Sequence, residues 1–493
     1  MFRTRRSLTF RFDDKAFGLA EGFVRFWRRR LAFAAFFVLA LGILWPASAE
    51  DVPVSREQIG LSFSPVVRKT APAVVNIYTE KASQPTAQTP FLSDPFFQFF
   101  FEGLARRQAP KRQQNSLGSG VIIEADGLIV TNHHVIEDAE KIMVVLNDRR
   151  EFSAEVVGAD TAADLALLRI EAPSPLPALP MGSSDSLEVG DLVLAIGNPF
   201  GIGQTVTSGI VSALSRTGPG VGSDLSFVQT DAAVNPGNSG GALVTIDGRL
   251  VGVNTAIFTR GGGSIGIGFA IPIDLVKALI RSIEGGGDSL ARPWLGAKVQ
   301  TVTSELAVNL GLPRPVGVLL NQLHRAGPAY RAGLEKGDVI LSIDGAEIVD
   351  NHGLNFRLAI GELGVAANLD VWRHGKVITA DLPLELPPRD PAPDVSELDG
   401  PHALRGATVA NLSPAFNQDG GLDLLKEGVV ILRIARRSSA HRLGLQRGDV
   451  VLQIADQPIA SVARLKDSLV DLPATWRIEI DRGGRRLGVT IGQ

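Results

Sequence analysis

A serine between glycines is the strongest candidate for chemistry in this chain. It lies in the run DAAVNPGNSGG, from Asp231 to Gly241. A nucleophilic serine needs an exposed Oγ and, beside it, backbone N–H groups that point at the oxygen which becomes negative in a tetrahedral intermediate. Glycines around Ser239 allow such a turn and leave the N–H groups of Gly237 and Ser239 unobstructed as an oxyanion hole. An ordinary Gly-Asn-Ser turn between strands is the alternative.

A general base and a residue that orients it are required next. Two histidines, His133 and His134, follow an apolar strand predicted at Leu128–Thr131 and precede a short helical turn predicted at Val135–Ala139. Asp164 stands directly before another apolar run, where it could accept a hydrogen bond from a histidine ring. Taken alone, each has an ordinary explanation as a surface or core histidine or as a turn aspartate. The order His, Asp, Ser is nevertheless that of chymotrypsin-type enzymes, whereas subtilisin-type enzymes and α/β-hydrolases use other orders.

Composition and charge exclude several other classes of protein. The chain has no cysteine, which excludes a thiol nucleophile, a disulfide framework and a zinc–cysteine site. The first 49 residues hold nine basic and three acidic side chains, a net charge of +6. Because the whole chain has a net charge of −3, the residues after position 49 have a net charge of −9. No basic stripe remains that could hold a nucleic-acid backbone, and no nucleic-acid partner is expected.

The same first 49 residues have the pattern of a secretory signal peptide. Three arginines at 28–30 stand before an apolar run of 15 residues, Leu31 to Trp45, and small residues at 47–49 follow it. The run is shorter than the ~20 residues that span a bilayer. Cleavage after Ala49 is expected, and a retained inner-membrane anchor with membrane association through the N-terminus is the alternative.

The elements around the candidate residues predict an antiparallel barrel or sandwich in the first large domain. At 493 residues the chain should form about three domains. From 73 to 271 it alternates short β-branched runs with glycine, asparagine and aspartate, which is typical of antiparallel barrels and sandwiches. An apolar helical stripe over Ile273–Ile283 follows, and the glycines at 285–287 end it at the first domain boundary.

The last third of the chain contains a duplication. The run AYRAGLEKGDVILSI from Ala329 returns 111 residues later as AHRLGLQRGDVVLQI from Ala440. Two copies are too few for a solenoid, so a duplicated domain is expected. The proline-rich stretch 386–393 between the copies reads as a linker.

Together these motifs resemble a known family, the HtrA/Deg PDZ serine proteases, over nearly all of the chain after residue 49. The matching runs are LGSGVII from Leu117, VTNHHV from Val130, DLALL from Asp164, AIGNPFG from Ala195, QTVTSGIVSA from Gln204, QTDAAVNPGNSGGAL from Gln229 and GIGFAIP from Gly266. The resemblance implies a mostly β fold in which a chymotrypsin-type double β-barrel protease domain is followed by two PDZ-like α+β domains.

The resemblance also implies roles for the candidate residues. Ser239 would be the nucleophile, and Gly237 and Ser239 would supply the oxyanion N–H groups. His134, and not His133, would be the general base and then acid, and Asp164 would orient it. The reaction would be ATP-independent hydrolysis of unfolded or misfolded exported proteins through an acyl-enzyme, in the periplasm of a Gram-negative bacterium. No metal or organic cofactor is implied, and the chain lacks the His-Glu-x-x-His, P-loop and dinucleotide patterns.

The primary specificity pocket can be predicted one step further. In chymotrypsin-type enzymes the residue six before the nucleophile lines the base of this pocket, and here it is Ala233. Val234, Ile257 and Phe258 are expected beside it. Because no acid stands at the base, a lysine or arginine side chain would be buried unpaired at a cost of several kcal/mol. Small or medium aliphatic residues should be preferred.

Two features of the PDZ-like modules bear on peptide binding. A PDZ domain adds a peptide's C-terminal strand to a sheet edge and captures the carboxylate in a nest of backbone N–H groups. In the first copy Leu295, Gly296 and Ala297 match this carboxylate loop, so peptide C-termini are expected partners. In the second copy Arg405 stands where an apolar residue is expected, which leaves ligand binding there open. The alternative for both modules is an oligomerisation scaffold.

The predicted organisation is a signal peptide or anchor at 1–49, a trypsin-like protease domain at 50–284, PDZ domains at 285–386 and 400–493, and a linker at 387–399. The protease domain contains a long loop at 81–116 with six phenylalanines between Phe91 and Phe101. This loop is expected to reach a neighbouring subunit in a homo-oligomer, a trimer or a multiple of trimers. The competing functional hypothesis is a chaperone-like binding or scaffold protein whose protease activity is dispensable.

Overall fold

The structure is a computed structural model that describes residues 62–81, 115–198, 203–216, 226–235, 237–257, 266–470 and 473–492. Its first part is a closed antiparallel barrel with strand order β1-β2-β3-β6-β5-β4. The elements are α1 Ser64–Thr70, β1 Val74–Lys81, β2 Asn115–Ile122, β3 Leu128–Thr131, α2 His133–Ile136, β4 Ala139–Val145, β5 Glu151–Asp160 and β6 Leu165–Ile170.

A second closed antiparallel barrel follows, with strand order β10-β11-β12-β9-β8-β7. Its elements are β7 Leu192–Gly197, β8 Thr205–Arg216, β9 Phe227–Thr230, β10 Ala242–Thr245, β11 Leu250–Ile257 and β12 Gly268–Pro272. The sequence pattern predicted a barrel or a sandwich in this part of the chain, and the structure shows two six-stranded barrels.

β-Branched and leucine side chains fill both barrels. Fully burying one such side chain stabilises the fold by ~1.5–3 kcal/mol before ordering entropy is subtracted. The largest fully buried side chains are Ile77, Ile122, Ile129, Leu165, Leu167, Leu168, Ile170, Leu179, Leu194, Ile196, Leu243 and Leu250.

The helix predicted after the second barrel is confirmed as α3, Ile273–Glu284. Pro272 precedes it, and Gly285 follows its last turn. The helix buries Ile273, Val276 and Leu279 on one face, as the apolar stripe predicted.

Two antiparallel sheets follow in the last part of the chain. The first has the order β13-β14-β15-β17-β18, with β16 paired to β15. Its elements are β13 Ala297–Thr301, α4 Ser304–Leu310, β14 Val318–Leu323, α5 Pro328–Arg331, β15 Val339–Ile343, β16 Ala346–Glu347, α6 Asn351–Ile360, β17 Ala366–Arg373 and β18 Lys376–Pro383.

The second sheet has the order β19-β20-β21-β22-β24-β25, with β23 paired to β22. Its elements are β19 Ser396–Glu397, β20 Ala407–Asn411, α7 Pro414–Asp419, β21 Val429–Ile434, α8 Ser439–Arg442, β22 Val450–Ile454, β23 Gln457–Pro458, α9 Val462–Ser468, β24 Thr475–Arg482 and β25 Arg485–Gly492. It differs from the first sheet by the additional strand β19 beside β20.

The sequence duplication corresponds to a repeated helix and strand with one buried ion pair. Asp338 precedes β15 and is 2% exposed, and the guanidinium of Arg373 donates to its carboxylate at 2.6 and 2.7 Å. Asp449 precedes β22 in the same way, is fully buried, and accepts from Arg482 at 2.7 Å twice. Each pair holds the Gly-Asp corner of the repeat against the last hairpin of its sheet.

The segment that leads into the first of these sheets is joined to the barrels beside the β5–β6 turn. Arg292 makes a bidentate ion pair with Asp160 at the end of β5, with N–O distances of 2.7 and 2.5 Å. Burial alone would raise the pKa of Asp160, but the hydrogen bonds and charge of Arg292 lower it below its ordinary value. Asp160 lies four residues before Asp164, so this ion pair anchors the turn that carries the candidate aspartate.

Some predictions concern residues outside the described part of the chain. The signal segment at 1–49 and the phenylalanines at 91–101 fall there. Of the predicted loop at 81–116, Lys81 is the last residue of β1, and Asn115 and Ser116 open β2. Within the described residues, no helix combines the length and the apolar character needed to cross a bilayer.

Candidate active site

His134 and Asp164 come together at one end of the first barrel. β3 delivers His134 into the short helix α2, and Asp164 stands immediately before β6, which pairs with β3. The ring Nδ1 of His134 lies 2.9 Å from Oδ1 and 2.8 Å from Oδ2 of Asp164. The backbone N–H of His134 also donates to Oδ1 at 3.0 Å. The carboxylate therefore fixes both the position and the orientation of the imidazole.

The helical turn that carries His134 begins earlier than predicted. The expected turn was Val135–Ala139, whereas α2 spans His133–Ile136. Asp138 has a φ of 58°, in the left-handed region, and β4 begins at Ala139. The left-handed residue and the strand start leave no room for the turn to continue.

Asp164 is held in an unusual backbone conformation by several hydrogen bonds. Its φ is 52°, which a residue with a Cβ seldom adopts, and such strain persists where surrounding contacts determine it. The amide of Asn132 donates to its carbonyl oxygen at 3.0 Å. The hydroxyl of Thr255 in β11 donates to Oδ2 at 2.7 Å. The second barrel thus contributes directly to the placement of the aspartate.

The contact between His134 and Asp164 keeps the aspartate ionised and makes the histidine more basic. Burial alone would lower the pKa of His134, but the charge of Asp164 and the hydrogen bond to it raise this pKa above its ordinary value. Burial alone would raise the pKa of Asp164, but His134 and the Thr255 hydroxyl hold it below its ordinary value. The side chains are 17% and 14% exposed, so little water screens their attraction.

Ser239 stands in the loop before β10, between the two barrels. Its Oγ donates to the carbonyl oxygen of Thr255 at 3.0 Å, on the strand whose threonine side chain holds Asp164. Gly240 has a φ of 81°, and a Cβ there would collide with the carbonyl oxygen of Ser119 and the hydroxyl of Thr131. Only glycine fits this position, which is the physical reason for a glycine directly after the serine.

Ser119 in β2 fixes this loop to the first barrel. Its backbone N–H donates to the carbonyl of Ser239 at 2.8 Å. Its hydroxyl donates to the carbonyl of Gly237 at 2.6 Å and accepts from the backbone N–H of Asn198 at 2.8 Å. Its own carbonyl accepts from the Thr131 hydroxyl at 2.7 Å. Gly237 has a φ of 96°, so the loop with the predicted oxyanion donors is held in a glycine-dependent conformation.

The structure describes three of the four residues predicted for the specificity pocket. Ala233 is half-buried, and its carbonyl accepts from the Thr207 hydroxyl at 2.8 Å. Val234 is 1% exposed, and a Cβ on Gly268 would lie 2.9 Å from one of its methyl groups. The backbone of Ile257 pairs with that of Gly268. Phe258 lies outside the described residues.

The first predicted carboxylate loop leads into β13, the edge strand of the first of the two C-terminal sheets. Gly296 has a φ of 72°, and a Cβ there would lie 2.6 Å from the Cα of Gly327. The carbonyl of Leu295 accepts from Ala329 N–H at 3.0 Å, and that of Gly296 from His324 N–H at 2.7 Å. Ala297 is the first residue of β13. The loop is therefore closed against the first helix of the repeat.

Sequence reasoning missed two residues of this constellation, Ser119 and Thr255. Ser119 lies in β2, one residue before the predicted strand run, and Thr255 lies in β11; both act on residues that are distant in sequence. A polar side chain within an apolar β-branched run was the available signal, since buried polar groups need partners. Within the described residues, no group of three or more His, Cys, Asp and Glu side chains could hold a metal ion.

Comparisons with known proteins agree with this geometry. A family model described as a trypsin-like peptidase domain matches residues 118–253, and a PDZ domain model matches residues 293–384. The chain is 40% identical over 451 residues to a probable periplasmic serine endoprotease DegP-like of Pseudomonas fulva, covering 87% of this chain and 93% of the relative. The chain belongs to the HtrA/Deg family of PDZ serine endoproteases.

Other members of the HtrA/Deg family extend the likeness. The periplasmic pH-dependent serine endoprotease DegQ of Escherichia coli is 36% identical, over 91% of this chain and 96% of its own. The solved structure of the HtrA-type protease AlgW with tripeptide is 42% identical, with a TM-score of 0.50, and covers 66% of this chain and 98% of its own. The protein is a serine endopeptidase with a double β-barrel protease fold followed by PDZ domains. The predicted periplasmic localisation is confirmed.

Proposed function

We propose that Ser239, His134 and Asp164 are the catalytic triad of this endopeptidase. The contact between the His134 ring and the Asp164 carboxylate carries the proposal, because it fixes one imidazole tautomer and leaves Nε2 as the proton acceptor. The short path from Asp164 through Thr255 to Ser239 supports it further. Among the described residues, His133 has no comparable carboxylate contact. Its Nε2 lies 3.4 Å from the Thr161 hydroxyl instead.

Acylation begins when the Ser239 hydroxyl turns from the Thr255 carbonyl toward the imidazole. Catalytic hydrogen bonds in free enzymes are often poorly aligned and tighten only with substrate bound. Oγ attacks the carbonyl carbon of the scissile peptide bond as His134 takes the proton. Asp164 stabilises the imidazolium that forms and itself stays ionised. His134 then gives the proton to the leaving amine, which departs as the new N-terminus.

The negative oxygen of each tetrahedral intermediate would lie against the N–H groups of Gly237 and Ser239. Such preorganised donors act most strongly where water is excluded. A water molecule, deprotonated by His134, then attacks the acyl-enzyme carbonyl and releases the new C-terminus with restoration of Ser239. The positive φ of Gly237 and its tether to Ser119 support this assignment, because they set the conformation of the donor loop.

The proposed substrates are unfolded or misfolded exported proteins, degraded without ATP in protein quality control. The half-buried Ala233, the buried Val234 and the absence of an acidic side chain at these positions favour small or medium aliphatic residues at the cleavage site. The first PDZ domain would bind peptide C-termini through Leu295, Gly296 and Ala297. The solved AlgW structure contains a tripeptide, which agrees with peptide recognition in the family.

We further propose that the protein is a homo-oligomer, a trimer or a multiple of trimers. The proposal rests on the six phenylalanines between Phe91 and Phe101, a composition too apolar to stay in water without a partner. Deleting Phe96 to Phe101 should shift the particle to smaller species and change basal activity, as measured by analytical ultracentrifugation and peptide hydrolysis. An unchanged particle size together with unchanged basal activity would contradict it.

Replacement of the nucleophile tests the proposed triad. Ser239→Ala should reduce cleavage of a chemically unfolded protein by roughly 10⁴-fold to 10⁶-fold. Native circular dichroism of the variant serves as the folding control. If the variant cleaves as the parent does, the triad is wrong. If it still suppresses aggregation as the parent does while cleavage is lost, proteolysis and a chaperone-like activity are separable.

A further inference from the structure

The two PDZ-type modules have equivalent carboxylate loops. Gly296 and Gly406 both adopt a positive φ, 72° and 83°. The carbonyl of Gly296 accepts from His324 N–H at 2.7 Å, and that of Gly406 from Ala435 N–H at 2.8 Å. Both glycines lead directly into the first strand of the shared core, β13 or β20. A ligand of the second module would therefore add to the outer edge of β20, as one of the first would add to β13.

In the second module this edge is already occupied by the chain itself. β19 pairs antiparallel with β20, with Ser396 opposite Val409 and Glu397 opposite Thr408. The next residue continues the pairing, since Leu398 N–H donates to the carbonyl of Ala407 at 2.8 Å. Residues 392–398 are called the self-ligand segment below.

The self-ligand segment also fills the carboxylate position. The N–H of Gly406, in the middle of the loop, donates to the carbonyl oxygen of Leu398 at 2.8 Å. A PDZ ligand presents its terminal carboxylate to backbone N–H groups of this loop. Leu398 thus stands where the last residue of a bound peptide would stand, with its carbonyl in place of one carboxylate oxygen.

The side chain of Leu398 is buried as an anchor. It is 2% exposed and belongs to the apolar core that contains Val409, Val462 and Leu465. Farther along the segment, the side-chain amide of Asn411 donates to the carbonyl of Ala392 at 2.7 Å. The self-ligand segment is therefore held by its backbone pairing with β20, by the buried Leu398 side chain and by the hydrogen bond at its first residue, Ala392.

The first module lacks this cover. β13 is the edge strand of its sheet, and within the described residues no strand pairs with its outer side. Ala297 and Val299 of β13 are only half-buried, whereas the corresponding Ala407 and Val409 are 0% and 1% exposed. The two modules share one loop geometry but differ in whether the adjoining edge is open.

We propose that the self-ligand segment permanently occupies the peptide groove of the second PDZ module, with Leu398 as its anchor, so that substrate C-termini bind only to the first module. This inference rests on the proposed peptide binding by PDZ modules. The short connection from Leu398 to the carboxylate loop makes the contact intramolecular, and short tethers give effective concentrations of ~mM or more. A free peptide must compete against that concentration.

Hydrogen exchange followed by mass spectrometry on the full chain with Ser239→Ala tests the proposal, because it reports on β13 and β20 separately. The probe is the decapeptide RDPAPDVSEL, the sequence of residues 389–398 with a free C-terminus. In the parent, exchange over Ala407–Asn411 should be slow and should not change when the peptide is added at saturation. Slowing of this strand by the peptide would show an open groove and overturn the proposal.

A variant should open the groove. Leu398→Asp should speed exchange over Ala407–Asn411 by roughly 10-fold to 100-fold, and the free peptide should restore slow exchange there. The matched control is Val395→Asp, which changes a side chain of the same segment that is 60% exposed. In this control, exchange over Ala407–Asn411 should be as slow as in the parent. Leu398→Ala, with a smaller effect in the same direction, replaces the aspartate variant if that one does not fold.

The outcomes separate this proposal from the function on which it rests. If Leu398→Asp leaves exchange over β20 unchanged, Leu398 does not fill the groove and the proposal is wrong. If no peptide with a free C-terminus slows exchange over β13, the proposed peptide binding by the first module fails. The result at β20 is read independently of that failure.

Discussion

Replacing Ser119 by alanine removes a single oxygen atom from the contact between the two barrels. That oxygen donates to the carbonyl of Gly237 at 2.6 Å and accepts from the N–H of Asn198 at 2.8 Å. Ser119 is fully buried, so its removal leaves one buried acceptor and one buried donor without this partner. Each unsatisfied group costs ~1–3 kcal/mol. Ser119→Ala should therefore lower the free energy of unfolding by about 2 to 6 kcal/mol.

The same substitution should reduce catalysis without weakening substrate binding. The Gly237 carbonyl loses its tether, and the loop with the proposed oxyanion N–H groups can shift. Loss of a whole oxyanion donor costs about 10²-fold to 10³-fold in kcat. A displaced donor should cost less, roughly 10-fold to 100-fold in kcat, with KM changed less than about twofold because the lost interaction belongs to the transition state.

Steady-state hydrolysis of a chromogenic peptide with valine before the scissile bond gives kcat and KM, and urea unfolding gives the stability. Ser226→Ala is the matched control, because that buried serine hydroxyl has no hydrogen-bond partner among the described residues. Ser226→Ala should leave kcat, KM and the free energy of unfolding near the parent values. If Ser119→Ala folds normally and keeps the parent kcat, the reasoning about the donor loop is refuted.

Three further substitutions probe the site. Asp164→Asn should lower kcat by about 10⁴-fold. Because Asp164 raises the pKa of His134, and activity is lost as pH falls through that pKa, the acid limb of the kcat/KM profile should move to lower pH. Thr255→Val removes the 2.7 Å hydrogen bond to Asp164 and should lower kcat/KM by about tenfold, with the pKa of Asp164 raised, as NMR titration would show. Ala233→Asp should redirect cleavage to sites after lysine or arginine, as mass spectrometry of the products would show.

Sequence reasoning predicted the triad candidates because their order and local motifs are properties of the chain alone. The short β-branched runs with glycine and asparagine between them predicted an antiparallel barrel or sandwich, and the choice of a double barrel came from the family resemblance. Helix α3 was predicted from one stripe of apolar residues, and the structure adds only Glu284 to its end.

The contributions of Ser119 and Thr255 could not be predicted in this way. Each forms its decisive hydrogen bond with the opposite barrel, so its role exists only once the barrels are packed. The pairing of β19 with β20 was equally hidden, because two strand residues and one leucine are too short a signal beside a proline-rich stretch. The backbone strain at Asp164 is likewise a product of the finished contacts.

The nucleophile itself can be tested by covalent labelling. The folded protein is treated with diisopropyl fluorophosphate, digested, and the modified residue is located by mass spectrometry. An activated serine requires an adjacent base, so the label should appear on Ser239 in the parent and be absent from His134→Ala at equal exposure to the reagent. Labelling of another residue, or equal labelling of Ser239 in both proteins, would contradict the proposed catalytic triad.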